Sequence, residues 1–491
     1  MNDNLQMQSP PSPEPQLHLS ADEFRQHGYA LIDWIAEYLD HSERYPVQAQ
    51  VQPGEIAARL PDAGPEWGED FANIIADFES DILPGITHWH SPNFFNYFAI
   101  SATGPSILGE LLTAALNVNG MLWLTSPAAT ELEGRVTDWL RRWLQLPDSF
   151  QGIITDTASI SSLLAMAAAR EALDRNIRSE GVSGRDLPRL CAYTSEQAHS
   201  SITKAGLALG IGQENVRLIE VDADYRLRTD ALTHAVQADS EAGHLPFFVA
   251  ATIGTTSTTS VDPIPQMAQL CKRHQLWLHV DAAYAGVVAL LDEHADLLQG
   301  CEQADSIVTN PHKWLFTNVD CSVFWLKRPN LLKRAFSVVP QYLQSAGEME
   351  INNYMDWGVQ LGRRFRALKL WFVLRYYGRR GLAHHIREHI RLARLLADWI
   401  DGAPHFERLA PVPFSTVCFR YAPPHTDESE KDDLNRKMHS LINESGAAFI
   451  SQTVLNKQFS LRVAIGNIQT QEKHIRALWQ LLQDTAAQVI S

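Results

Sequence analysis

Apolar residues at Phe24, Leu31, Trp34, Ile35 and Tyr38 recur at helical spacing, and Ser20 with Glu23 three positions on forms a capping box. The spacing predicts an amphipathic helix over 21–41. A second helix is expected near 69–79 and a third over 105–116, and SPAATELE (126–133) opens another. From about residue 150 the pattern changes. Short apolar, β-branched runs end in small or hydroxyl-bearing residues and alternate with helical stretches. They comprise Ile153–Thr155 before a helix from about Ser159, CAYTSEQAHSSITKAG (191–206), PFFVAATIGTTSTTSVD (246–262), then 276–281, 306–309 and 318–327. Strand, helix, strand in that order is what a parallel sheet needs, so the chain reads as α/β. Residues 337–353 carry neither period, and a loop of that length in a compact domain is usually functional or mobile. A basic helix over 361–378 leads into 379–491, where helices alternate with short strands (PFSTVCFRY, FSLRVAIG) before a last amphipathic helix. That tail fits a smaller α+β unit, and no internal repeat is visible.

Length and composition narrow the class. At 491 residues the chain has room for two or three domains, and 45% hydrophobic with 20% charged residues is ordinary for a soluble enzyme. A net charge of −16 argues against nucleic acid and anionic membrane surfaces as partners. No run approaches the roughly 20 apolar residues of a membrane span. The five cysteines (Cys191, Cys271, Cys301, Cys321, Cys418) form no CxxC pair, and four sit in or beside apolar runs, as buried thiols in a reducing compartment do. The N-terminus is polar and rich in proline (QSPPSPEPQ, 8–16), without the form of a signal peptide. A cytoplasmic protein with a disordered tail over 1–17 is expected.

Candidate chemistry gathers at strand ends. SIVTNPHKWLF (306–316) delivers His312, Lys313 and Trp314 after a buried-strand pattern. A lysine there is either a surface cation whose stem packs on Trp314 or an amine that forms an imine with an aldehyde cofactor. LWLHVDAAYAG (276–286) ends a strand in Asp281, beside Ala282 and Ala283, where a carboxylate could pair with a protonated pyridine ring. The Thr/Ser turn before Ser159 is an ordinary N-cap or a phosphate-binding helix N-terminus. His199 is a satisfied core or capping group, or a catalyst that changes protonation near neutral pH. Ser201-x-x-Lys204 matches a β-lactamase pattern without its companion motifs and is taken as chance. His88-x-His90 could share one strand face as metal ligands, but no third ligand has zinc-like spacing and no metal is expected. The aromatic cluster Trp89, Phe94, Phe95, Tyr97 and Phe98 is either core or the wall of a pocket for a ring-bearing substrate. Arg363, Arg364 and Arg366 are expected to pair with surplus carboxylates.

HVDAAYAG and NPHKW together resemble the group II PLP-dependent amino-acid decarboxylases, the aromatic-L-amino-acid decarboxylase family. The resemblance runs from about Ser20 to the C-terminus, with several motifs in matching order. It implies a PLP-dependent transferase-like (fold type I) α/β architecture. A mainly parallel seven-stranded sheet belongs to a large domain, with an α+β small C-terminal domain and an N-terminal helical segment. The implied boundaries are a 1–17 tail, an 18–103 dimerisation segment, a 104–375 PLP-binding domain and a 376–491 small domain. The implied cofactor is pyridoxal 5'-phosphate (PLP), carried by Lys313, with Asp281 at its pyridine nitrogen and His199 stacked on its ring, facing the substrate carboxylate. Thr157, Ala158 and Ser159 would stand at its phosphate, Thr256 near its phenolate, and Asn310 and His312 beside the lysine. Tyr342, on the 337–353 loop, resembles the catalytic proton donor. Trp89, Tyr97, Phe98, Ile100, His199 and Gly362 would meet the substrate.

The resemblance also marks departures. Asp156 stands where relatives usually carry glycine, so it must point away from a phosphate dianion or be paired. Ile100 replaces a frequent threonine, and Asn93, Asn96 and Ala99 also differ from the commonest pattern. Gly362 falls where aromatic decarboxylases vary between glycine and serine, and it leaves room for a wider, indole-like ring. The family arrangement is a homodimer with the N-terminal helices across the partner and the active site at the interface. The expected reaction is decarboxylation of an L-amino acid, aromatic in type, to an amine and carbon dioxide. Oxidative deamination to an aldehyde is the alternative, although relatives doing that chemistry often replace the loop tyrosine. Transamination is a third reading and wants an arginine clamp, for which Arg462 is the small-domain candidate. A non-catalytic interaction protein on the same fold is the outsider.

Overall fold

The computed structural model describes residues 18–338 and 352–490. Its strands, in chain order, are β1 (Phe94–Phe95), β2 (Gln151–Thr155), β3 (Leu190–Ser195), β4 (Val216–Ile219), β5 (Leu245–Thr252), β6 (Trp277–Asp281), β7 (Ser306–Thr309), β8 (Ser322–Leu326), β9 (Phe406–Arg408), β10 (Thr416–Tyr421), β11 (Phe449–Leu455) and β12 (Gln458–Ala464). Seven of them form one sheet in the order β2-β8-β7-β6-β5-β3-β4. β8 is antiparallel to both its neighbours, while the pairs from β7 to β4 are parallel. This is the mainly parallel seven-stranded sheet of a fold type I enzyme. Helices cover both faces, so β6, β7 and β8 are buried along their whole length. Two-sided burial explains why these strands read as continuous apolar runs rather than as alternation. Truncating Phe324, fully enclosed in one of the two layers, to alanine would cost about 3–5 kcal/mol.

Local signals set the helix ends. Helix Ala21–Asp40 begins with the complete Ser20/Glu23 capping box. Helix Pro127–Trp143 begins where the Ser126 hydroxyl accepts from the Ala129 N–H and proline takes the first turn. The expected helix over 361–378 begins at Arg366 and ends, as expected, at a kink at Gly378 (φ +62, ψ 174). A second helical stretch follows the kink to Asp401, and its Leu382, Ile386 and Leu396 continue the buried stripe. Residues 363–366 stay outside or at the start of the first stretch, where the three arginines meet acids: Arg363 with Glu133 at 2.7 Å, Arg364 with Glu110, Arg366 with Asp320 at 2.8 Å.

The second sheet has the order β1-β11-β12-β10-β9. The pattern did not single out β11. A two-residue turn, Asn456 and Lys457, both at positive φ, folds it back onto β12. The edge strand β1 comes from far away, pairing in parallel with β11 (Phe94 opposite Phe449). Asn467 fastens the same segment, its Nδ2 donating to the carbonyls of Trp89 (3.2 Å) and Ser91 (3.0 Å). The aromatic stretch 88–100 is thereby laid across the mouth of the large sheet.

Candidate active site

In a parallel α/β sheet, ligands gather beyond the carboxyl ends of the strands. Here the ends of β2, β3, β5, β6 and β7 face the second sheet across a cavity of about 510 Å³. β2 contributes Thr157, Ala158 and Ser159, β3 leads to His199, β5 leads to Gly254 and Thr256, β6 ends in Asp281, and β7 leads to Asn310, His312 and Lys313. Lys313 and Asp281 thus face one cavity. All nine residues expected around the cofactor line it, as do Trp89, Tyr97, Phe98 and Ile100 from the substrate set. Gly362 does not line it; this residue lies beside Asn119. Tyr342 lies outside the described residues.

Burial and neighbouring charge set the ionisation of Lys313 and His199. Asp281 is buried and accepts from the Ala283 N–H at 3.1 Å. Burial lowers the pKa of Lys313, nearby Arg462 lowers it further, and Asp281 opposes both. Burial likewise lowers the pKa of His199, with Asp281 opposing and Lys313 and Lys204 adding to the effect. The Ser201 N–H donates to His199 Nδ1 at 3.2 Å, which places the proton of the neutral ring on Nε2. His312 is fixed in the same tautomer, its Nδ1 accepting from the Cys321 N–H at 3.0 Å, and burial pushes its pKa down to about 3. Ser201 is buried and Lys204 exposed, so the serine–lysine pattern assembles no nucleophile.

The turn after β2 meets the requirement placed on Asp156. Its carboxylate accepts from the Thr157 N–H at 2.7 Å and from Gln360 at 3.4 Å, and it does not line the cavity. The N–H groups of Ala158 and Ser159, at the start of helix Ala158–Ala172, have no intrahelical acceptor and remain available to an anion. Behind the turn, hydroxyls link Thr155 to Ser161 (2.9 Å) and Ser161 to Ser322 (3.5 Å), and Ser322 donates to Asn310 Oδ1 (2.7 Å). Asn310 keeps its Nδ2 as a donor. Gly254 is glycine for two local reasons: φ is +88, and a Cβ would meet that of Ala285 at 2.7 Å.

The opposite wall is aromatic. Trp89 stacks on Phe94 (4.3 Å between centroids) and on Tyr97 (5.7 Å), and Phe98 lies beneath Lys313 Nζ at 5.2 Å. His88 Nδ1 meets the Tyr38 hydroxyl at 3.0 Å and its ring stacks on Tyr45.

The family model for the pyridoxal-dependent decarboxylase conserved domain matches residues 53–422. The chain belongs to the pyridoxal-dependent decarboxylases. Among curated members of this family, it is 41% identical to tryptophan decarboxylase 2 of Oryza sativa subsp. japonica over 96% of each chain. It is 40% identical to a phenylacetaldehyde synthase of Arabidopsis thaliana over 96% of this chain and 97% of the other. A crystal structure of Oryza sativa TDC with PLP and tryptamine superposes with a TM-score of 0.93 at 36% identity, covering 97% of this chain and all of that one.

The donor set fits the cofactor of a pyridoxal-dependent decarboxylase. An amine of lowered pKa, a buried carboxylate and a helix N-terminus with two open N–H groups face one cavity, and nothing there carries an unmatched negative charge toward the phosphate end. PLP is the cofactor of this carboxy-lyase. Sequence reasoning missed the cavity residues of the second sheet, namely Ser451, Gln452 and Thr453 on β11, and also Ser257 and Tyr284. No short motif marks the three β11 residues, because tertiary pairing alone brings β11 to the site, whereas Tyr284 and Ser257 lie inside the singled-out stretches 279–286 and 246–262 and were given no role. Arg462, the candidate clamp for transamination, does reach the cavity. Its guanidinium is committed to the carbonyls of Ser257 (2.9 Å) and Tyr97 (2.8 Å) and to Ser451 Oγ (3.1 Å).

Proposed function

We propose that the enzyme converts an aromatic L-amino acid, of the tryptophan, tyrosine, phenylalanine, DOPA or 5-hydroxytryptophan type, to the corresponding amine and carbon dioxide. The observation that carries this reading is the single cavity in which Lys313 and Asp281 face the aromatic wall of Trp89, Tyr97 and Phe98. When bound, PLP supplies an aldehyde that takes the amino group and a protonated ring that withdraws the electrons left as carbon dioxide departs. Lys313 holds the cofactor, its depressed pKa favouring the neutral, nucleophilic amine. Asp281 keeps the pyridine nitrogen protonated, and His199 presents its Nε2 proton toward the substrate carboxylate. Thr157, Ala158 and Ser159 take the phosphate, with Thr256, Asn310 and His312 completing the cofactor contacts. Trp89, Tyr97, Phe98 and Ile100 hold the ring and exclude water from the reacting carbon. Tyr342 returns a proton to the substrate α-carbon.

The enzyme acts as a cytoplasmic homodimer with its active site at the subunit interface, and Gly362 belongs to the substrate-binding set. Helix Ala21–Asp40 buries none of its residues and exposes Phe24 (64%) and Tyr29 (66%), and Leu111 (50%) and Leu116 (58%) stand out from helix Gly104–Leu116. Such apolar faces support a partner subunit over both. The five cysteines are free and buried, in keeping with a reducing compartment. Residues 1–17, 18–103, 104–375 and 376–491 serve as tail, dimerisation segment, PLP-binding domain and small domain. No helix among the described residues is long and apolar enough to cross a membrane.

Aldehyde formation is the second reading, favoured by the likeness to a phenylacetaldehyde synthase over nearly the whole chain. Incubation with the five aromatic amino acids separates the two. Carbon dioxide with equimolar amine is expected, and carbon dioxide with aldehyde, ammonia and peroxide would reverse the assignment. In Tyr342→Phe, amine output falls and aldehyde output rises; unchanged amine output would remove the proton donor's role.

A further inference from the structure

Tyr284 lies three positions beyond Asp281, is buried, and enters none of the steps above. Its ring is sandwiched. Trp314 stacks on it at 4.6 Å and 4°, and Phe98 at 3.7 Å and 15°. Each neighbour bears on the reaction. Trp314 follows Lys313 directly, and its Nε1 donates to His389 Nδ1 at 2.8 Å on the helical stretch after Gly378. Burial keeps His389 neutral, with a pKa of about 3, so that acceptor persists across the working pH range. Phe98 carries the Lys313 amine nitrogen over its ring at 5.2 Å and the Arg462 guanidinium at 4.8 Å. The hydroxyl of Tyr284 reaches Ser415, in the segment before β10, and Ser415 in turn donates to the Ile465 carbonyl at 2.6 Å. Because the serine proton is spent on Ile465, Tyr284 is the donor to Ser415.

We propose that Tyr284 is a positioning residue. Its ring sets the spacing between the Lys313–Trp314 turn and the Phe98 wall, and its hydroxyl registers that stack against the sheet that delivers Arg462. Flat rings in van der Waals contact resist sliding and tilting, so the lysine amine and the substrate-facing ring hold one mutual orientation. A displacement of about 1 Å at the reacting atoms costs about 100-fold in rate. An aliphatic residue of similar volume would fill the space without fixing the angle.

The inference rests on the proposed decarboxylation, and its test uses the PLP-loaded enzyme. In Tyr284→Leu, kcat falls about 100-fold while KM moves less than about threefold. PLP stoichiometry per chain is retained, and the induced circular dichroism of the bound cofactor loses at least about half its amplitude as its orientation loosens. Tyr284→Phe keeps the ring and rescues both signals to within about threefold of the parent. If the leucine chain does not fold, Tyr284→Met, adaptable in shape and equally unable to stack, takes its place. The proposal is overturned if the leucine variant keeps kcat within about twofold. Equal losses in the phenylalanine and leucine variants would also overturn it, as would activity lost only in proportion to lost PLP. Failure of the underlying reading is separate, since it shows in the products of the parent enzyme.

Discussion

The two ends of the cavity are built on different plans. At the cofactor end, five strands of one sheet stop at one level, and each contributes its residue within a few positions of its end: Thr157, His199, Thr256, Asp281, Lys313. At the substrate end, the wall is assembled from 89–100 and from 451–453 with Arg462 on the paired strands β11 and β12, and the first segment joins them only where β1 meets β11. Rigid parallel strands can hold a cofactor in fixed geometry, while a wall borrowed from another sheet can vary without disturbing it. The difference teaches that chemistry and specificity are carried by different sheets in this enzyme, joined through the Trp314–Tyr284–Phe98 stack.

Variants at the two ends test that separation. Lys313→Ala is expected to lower kcat roughly 10⁴-fold or more with every amino acid and to abolish the visible absorbance of the loaded enzyme. Persistence of that band would move the cofactor linkage to another lysine. Asp281→Asn lowers kcat about 10²–10³-fold, by removing the charge that holds the ring proton. The comparison demands that this loss be equal for tryptophan and tyrosine, as a steady-state survey would show. Ile100→Thr works at the other end, where it changes the ratio of kcat/KM between DOPA and tryptophan by about 3–10-fold and leaves cofactor content alone. Equal changes for both substrates would merge the two ends.

The smallest effect is on stability. Burial holds His90 and His279 near pKa 4 and His312 and His389 near 3, against 6.5 for an unperturbed histidine. Between those values the unfolded chain binds protons that the folded chain refuses, so stability falls as pH drops from about 6.5 toward 4. A decline in Tm on the order of a few degrees is expected in thermal melts over pH 6.5–5. A flat profile there would mean that these imidazoles are more open to water than their packing implies.

Legibility follows the same division. Motifs such as HVDAAYAG and NPHKW put the acid and the amine at strand ends, because a buried parallel strand is a continuous apolar run and its end is marked by small or polar residues. The limits of β6 and β7 fall within one residue of those expected. The helix end at Gly378 was legible because glycine can take the positive φ that breaks the helix there, and a second helix follows it. Ser451, Gln452, Thr453 and Tyr284 were missed. The place of the β11 residues depends on which strand pairs with β1, which leaves no local period, while Tyr284 stood in the HVDAAYAG motif and only its stacking on Trp314 was invisible.

The β1–β11 pairing has a consequence for how the enzyme is made. Phe94 leaves the ribosome early, yet its strand partner Phe449 is translated near the end of the message. At about 5–20 residues per second, the roughly 350 intervening residues take on the order of 20–70 s. Through that interval a nascent chain carries a ring-rich segment whose strand partner has yet to be made.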